Sequence, residues 1–286
     1  MRTVISRSEL SEALAQLPRP FALVPTMGAL HTGHAALIAA AKTSAATVVV
    51  SIFVNPTQFA NAEAVAQYPR SLAADKRLAE AAGAHLLFVP DVDQIYPPDE
   101  PVPAIDPGPL ALRLEGASRP GHFAGVATVV SLLFDLVRPE RAFFGAKDAQ
   151  QVRIVEWLAK QRNDQIAIHR VATVRDSDGL ALSSRNQMLS ASGRTAAAKT
   201  IPVALSLVAE AFSSGVTSVA LLRALAERVI SAEPSLELHY LDFADGATLV
   251  PLSDRAQIGD AESGEVLVSL AASVDGVRLI DAISLP

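Results

Sequence analysis

The chain has 286 residues and a mass of 30.0 kDa, enough for one large domain or two modest ones. Its 24 Lys and Arg against 30 Asp and Glu give a formal charge of −6 with no long basic block, which argues against a nucleic-acid partner. Cysteine is absent, so disulfides, thiolate catalysis, zinc–thiolate sites and iron–sulfur clusters are excluded together.

Residues 1–17 carry Glu9 and Glu12 and lack the apolar run of a signal peptide. No segment reaches the ~18–20 continuous apolar residues of a bilayer crossing. The expectation is a soluble, cytoplasmic enzyme or binding protein with no membrane partner. Residues 21–24 read as a short apolar strand ending at Pro25, and 34–45 as an alanine-rich helix. Residues 47–54 are β-branched and stop at Asn55-Pro56; 72–82 have helical character and close on Gly83; 85–89 form a strand ended by Pro90. Tyr96 to Gly121 holds Pro97, Pro98, Pro101, Pro103, Pro107, Pro109 and Pro120, which suits a long ordered loop or lid. A helix over 123–136, a strand over 141–144, a helix over 148–160 and a strand over 166–171 follow. Strands apolar on both faces and separated by helices predict a Rossmann-like parallel sheet covered on both sides.

The rhythm changes near residue 174. Residues 190–212 read as one helix kinked or broken at Pro202, and 217–230 as a second. Strands over 236–243, 266–271 and 277–283 come next, the last two joined around Asp275-Gly276. The expected organisation is a Rossmann-like domain over 1–174 and a smaller α+β domain over 175–286, which carries a Ser-Ser-Arg loop and a lid role.

Five polar segments could carry chemistry. Pro25-Thr26-Met27-Gly28-Ala29-Leu30-His31-Thr32-Gly33-His34 joins the first strand to its helix, where open α/β sheets bind ligands. Its glycines allow close backbone approach, the helix start offers N–H groups to phosphate, and His31 and His34 can converge on a transferring phosphoryl group. A surface histidine beside a capping one is the plainer reading. Asn55 and Gln58 end the next strand, and their amides suit a hydroxy acid, although Asn55-Pro56 also makes a structural turn. Tyr68 could line the same pocket. Arg119 could receive a carboxylate in bidentate fashion, while His122 suits capping or packing. Lys147 suits a phosphoryl oxygen, Asp148 a ribose, an amide or an N-cap, and Gln151 the same pocket. Ser183, Ser184 and Arg185 make a compact phosphate-binding set that also occurs often by chance.

These segments, in this order and spacing, resemble the pantoate–β-alanine ligase family of the HxGH nucleotidylyltransferase-like superfamily. The resemblance covers about residues 20 to 190. It implies ATP-dependent joining of pantoate to β-alanine with magnesium, through a pantoyl adenylate, with release of AMP and pyrophosphate, in a Rossmann-like homodimer. It implies ATP contacts at Met27, Gly28, Ala29, Leu30, His31, Thr32, Gly33 and His34, at Gly145, Ala146, Lys147 and Asp148, and at Val174, Leu182, Ser183, Ser184 and Arg185. Gln58 and Gln151 would hold pantoate, with Asn55, Tyr68 and Arg119 as further substrate contacts. His34 would be the proton donor, His31, Lys147 and Arg185 would share catalysis, and Asp75 would stand near magnesium. Ala64 and Ala149 depart from the family's usual acidic and aromatic residues at those places. Two other readings share the site: a nucleotidylyltransferase with a stable nucleotidyl product, and a nucleotide-binding regulatory module.

Overall fold

Apolar residues on both faces of short strands need cover on both sides, and the first part of the chain is built that way. In the computed structural model, described over residues 1–163 and 165–286, the chain divides into two units. The first is Met1–Leu112 with Gly116–Gly145 and Gln151–Ala172; the second is Arg113–Glu115, Ala146–Gln150 and Thr173–Pro286.

The first unit holds β1 (Arg2–Val4), β2 (Phe21–Thr26), β3 (Thr47–Ile52), β4 (Leu86–Phe88), β5 (Arg141–Gly145) and β6 (Ala167–Val171). They form one parallel sheet in the order β1-β4-β3-β2-β5-β6. Between them run α1 (Arg7–Ala15), α2 (Thr32–Lys42), α3 (Ala62–Gln67), α4 (Leu72–Ala82), α5 (Val92–Ile95), α6 (Glu115–Ser118), α7 (His122–Val137) and α8 (Ala149–Gln161). Successive strand residues face opposite ways. Ala22, Val24, Val48, Val50 and Leu87 pack with Leu37, Ile38 and Ala41 of α2 and Ala79 of α4. Leu23, Val49, Leu86, Phe88 and Phe144 face the other side, among Leu10 of α1, Val126 and Phe134 of α7 and Val155 of α8.

Four details depart from the sequence reading. β2 runs through Pro25, because its pairing to β5 covers only Ala22 and Leu23 and the missing N–H breaks no ladder bond there. β1, α1, α3 and α5 are additional elements. α2 starts and ends earlier, at Thr32 and Lys42, and a 3-10 turn (Ala146–Asp148) precedes α8. The proline-rich stretch contains a 3-10 turn (Gly108–Ala111) and the short α6. From β2 the chain steps outward through β3 to β4, then crosses to β5 on the other side. The carboxyl ends of β2 and β5 therefore flank the sheet's switch point, where such folds bind ligands.

The second unit packs α9 (Ala191–Ser213) and α10 (Val219–Ser231) with the antiparallel sheet β7 (Glu237–Asp245), β8 (Val266–Val274) and β9 (Val277–Leu285), in the order β7-β8-β9. Ile201, Leu205, Leu222, Ala226, Phe243, Val268 and Leu270 are buried together. α9 continues unbroken through Pro202. By length and composition alone it could cross a membrane, but half of its apolar stretch is buried in this core. Asp275 and Gly276 take φ of 55° and 73°, the pattern of a two-residue I′ hairpin turn. Asp275 also accepts from the N–H of Ser190 at 3.0 Å and from its hydroxyl at 2.7 Å, at the N-cap of α9. The fold is thus a Rossmann-like parallel sheet with helices on both faces, accompanied by a smaller α+β unit.

Candidate active site

The turn from β2 to α2 is braced from three directions. Thr26 Oγ1 donates to Ser51 O at 2.7 Å and accepts from the Gly28 N–H at 3.2 Å. The Asp75 carboxylate accepts from the N–H groups of Ala29 at 3.0 Å and Leu30 at 2.8 Å. His31 is the N-cap of α2, and its Nδ1 accepts from the Gly33 N–H at 3.2 Å. His34 reaches back, and its Nδ1 accepts from the His31 N–H at 3.2 Å. This reciprocal arrangement is a capping box made of two imidazoles, with ring centroids 4.1 Å apart.

That geometry narrows the expectation that the helix-end N–H groups stand open to phosphate. The amides of Ala29, Leu30, His31 and Gly33 already have acceptors within the chain. It also merges two readings of the histidines, since capping fixes their chemistry. An Nδ1 that accepts a backbone N–H carries no proton, so the neutral ring holds its proton on Nε2. Both rings therefore present Nε2–H as a donor.

At the end of β3, Asn55 is 1% exposed and its amide is taken up by the protein. Oδ1 accepts from the Thr57 N–H at 3.3 Å, the Thr57 hydroxyl at 3.0 Å and the Tyr96 hydroxyl at 2.9 Å, and Nδ2 donates to Gly125 O at 3.1 Å. Asn55 is thus a clamp between β3, α7 and the Tyr96 segment rather than an open substrate contact. Burial raises the Tyr96 phenol above its ordinary value and keeps it a neutral donor, with its bonds to Thr57 and Asn55 acting the other way.

Gln58 differs from Asn55. It is buried, and among the described residues its side-chain amide has no partner within the chain, while its backbone oxygen is held firmly. Arg119 Nη2 donates to that oxygen at 3.2 Å, and His122 Nδ1 lies 2.9 Å from it. Arg119 Nη1 sits 3.2 Å from His122 Nε2. Arg has no acceptor, so His122 Nε2 accepts and its Nδ1–H donates to Gln58. Arg119, expected to take a substrate carboxylate, thus holds the backbone of Gln58 both directly and through His122. Tyr68 meets Phe59 edge-on at 5.8 Å, and Arg70 folds back to the carbonyls of Val65, Ala66 and Tyr68. Gly145 ends β5, and Gln151 is half-buried at the start of α8.

In the second unit, Lys147 lies 3.5 Å from the Asp148 carboxylate in the 3-10 turn Ala146–Asp148. Ser183 Oγ accepts from the Arg185 N–H at 3.3 Å and caps a 3-10 turn, Ser184–Met188. Ser184 is buried; Val174, Leu182 and Arg185 are half-buried. The Leu182 N–H donates to Val174 O at 3.0 Å, and Asn186 Nδ2 to Ala181 O at 3.0 Å. Two ion pairs that the motif reading missed pin the base of this loop. Arg175 grips Asp281 with both terminal nitrogens, at 2.5 and 3.0 Å, and Arg194 meets Asp176.

Asp75 does not fit the metal role expected of it. It is 1% exposed, and both oxygens serve N–H and O–H donors. Among the described residues there is no group of three or more His, Cys, Asp or Glu able to hold a metal ion.

A family profile for pantoate-β-alanine ligase matches residues 2–284. The pantothenate synthetase of Nocardia farcinica is 44% identical over 275 residues, spanning 96% of this chain and 82% of its own length. The solved structure of pantothenate synthetase from Thermus thermophilus superposes with a TM-score of 0.89 at 40% identity, covering 99% of both chains. That of the pantoate-β-alanine ligase from Francisella tularensis, in complex with β,γ-ATP and β-alanine, gives 0.78 at 32% identity, over 99% of this chain and 97% of its own.

Proposed function

The chain belongs to the pantoate–β-alanine ligase family, and from that premise we propose that it joins pantoate to β-alanine with ATP through a pantoyl adenylate. The observation that supports the mechanism is the paired capping of His31 and His34, in which each Nδ1 accepts a backbone N–H and the ring proton sits on Nε2 at the head of α2, beside the switch point. A carboxylate is a poor acylating agent because oxide is a poor leaving group. A pantoate carboxylate oxygen bonds to the α-phosphorus of ATP, the α-phosphorus bond to the bridging oxygen breaks, and pyrophosphate leaves. Charge grows on the phosphoryl oxygens during that step, and fixed N–H donors stabilise it without reorganising. His34 is the principal donor and His31 its neighbour.

Lys147 supplies a point charge to a phosphoryl oxygen, and Ser183, Ser184 and Arg185 take the departing phosphates. Met27 through Gly33, Gly145, Ala146, Asp148, Val174 and Leu182 shape the nucleotide's seat. The β-alanine amine then attacks the acyl carbon, the amide forms, the amine loses a proton and AMP departs. The side-chain amides of Gln58 and Gln151 bind pantoate, a role supported by their lack of partners within the chain among the described residues. Magnesium, implied by the family, finds no ligand set among the described residues, so no step is routed through a protein-held metal. A homodimer is the expected assembly, which light scattering would check.

The test omits the amine. ATP and pantoate alone should give one pyrophosphate per enzyme and a bound acyl adenylate. ADP and acyl phosphate in the quench would refute the adenylate path. A second experiment concerns the amides. Gln58→Ala and Gln151→Ala should each weaken pantoate by about 1–3 kcal/mol, because substrate hydroxyls and oxygens lose their partners. Titration of ATP alone should change little, and equal weakening of both ligands would move these residues out of the acid site.

A further inference from the structure

We propose that Asp75 is a positioning residue for the nucleotide loop and not a ligand of magnesium. It lies in the first turn of α4, with its carboxylate buried against the β2–α2 turn. Oδ2 accepts from the Ala29 N–H at 3.0 Å; Oδ1 accepts from the Leu30 N–H at 2.8 Å and the Ser71 hydroxyl at 2.9 Å. Two consecutive amides thus point at one carboxylate. They do so because the turn is left-handed at two successive positions, with φ of 84° at Gly28 and 49° at Ala29. For alanine that conformation is unfavourable and needs support from its surroundings. Charge-assisted bonds to a buried carboxylate supply it.

The fit leaves no slack. A Cβ added at Gly28 would stand 3.0 Å from Ile52 Cγ2 and 3.2 Å from Asp75 Oδ2. The residue after Leu30, His31, begins the reciprocal histidine cap. Asp75 therefore fixes the loop that sets where both imidazoles start. Magnesium demands octahedral geometry and keeps several waters, which a carboxylate 1% exposed and bonded to three donors does not accommodate.

The kinetic arm of the test rests on the adenylation reading; the spectroscopic arms stand without it. Asp75→Asn keeps the shape but turns an NH2 toward one of the two amides, leaving that N–H without its acceptor. In the folded variant the amide proton of Ala29 or Leu30 should move upfield and exchange at least tenfold faster. Pyrophosphate release should fall about tenfold or more in kcat, with the magnesium dependence of the rate unchanged. Ser71→Ala removes one donor and keeps the carboxylate, so it should lower kcat only two- to threefold. A wild-type experiment needs no variant. Manganese added without nucleotide should not broaden the Ala29 and Leu30 amide signals. Selective broadening there, or a several-fold rise in the magnesium needed by Asp75→Asn with recovery at high magnesium, would overturn the proposal. So would unchanged amide signals in a folded Asp75→Asn.

Discussion

His34→Ala should slow formation of the acyl adenylate by at least about 10²-fold while leaving most ATP binding intact. The size follows from losing a fixed Nε2–H donor at the point where charge develops. Its Nδ1 also accepts the His31 N–H, so the same change removes one half of the capping box and should cost about 1 kcal/mol of stability or less. The two effects separate with a second variant. Glutamine at the third position of a helix can accept from the N-cap amide. His34→Gln should therefore recover the melting temperature but not the adenylation rate. Preformed pantoyl adenylate should restore much of the second half-reaction in both variants. Rapid-quench kinetics of each half-reaction beside melting curves would decide. An adenylation rate within about twofold of wild type would remove His34 from the chemistry.

Gly125→Ala should be strongly damaging for a single added methyl, because it falls where α7 meets the turn that carries Gln58. Its Cβ would stand 2.5 Å from Thr57 O, 2.7 Å from Thr57 C and 2.8 Å from Thr57 Oγ1. Two of those atoms are backbone and cannot rotate away, so α7 must retreat from the turn that carries Gln58. The Asn55 bond to Gly125 O would lengthen as it does. Overpacking of this kind costs about 1–3 kcal/mol, or roughly 3–10 °C in melting temperature for a unit of this size. The KM for pantoate should rise severalfold while ATP affinity holds. A variant with unchanged melting and unchanged KM would show that the contact is relieved cheaply and that Gln58 does not depend on it.

The sheet was legible because its strands are short apolar runs bounded by proline and polar turns, as at residues 47–52. α4 was legible to the residue, since Gly83 marks its end. α1 carries a capping signal but little else. Ser6 and Glu9 form the usual serine–glutamate capping box, yet the helix buries only Leu10 and Ala13 and its apolar stripe is faint. A capping histidine was legible in the sequence, but the reciprocal box was not, because imidazole at both the N-cap and the third position is not an ordinary capping pair. Asn55-Pro56 was legible as a turn, but the distant partners of Asn55 and of Asp75 were not. Asn55 depends on Tyr96, 41 residues away, and Gly125, 70 away; Asp75 depends on amides 45 and 46 residues away. A buried polar side chain and a ligand-binding one have the same letters, and only the partners tell them apart.

The contact between Asp275 and Ser190 sets an order of events during synthesis. The two residues are 85 positions apart, so α9 leaves the ribosome roughly 5–15 s before the carboxylate that meets its first turn. In that interval the nascent helix has its own serine cap and no anion at its head. The two-residue turn then dictates the register of β8 on β9, and the same turn delivers Asp275 to Ser190. A slip of one residue would turn the buried side chains of β9 to its other face and withdraw the carboxylate in a single error. A chain truncated before the last hairpin would lack a strand and also the partner at the start of its longest described helix.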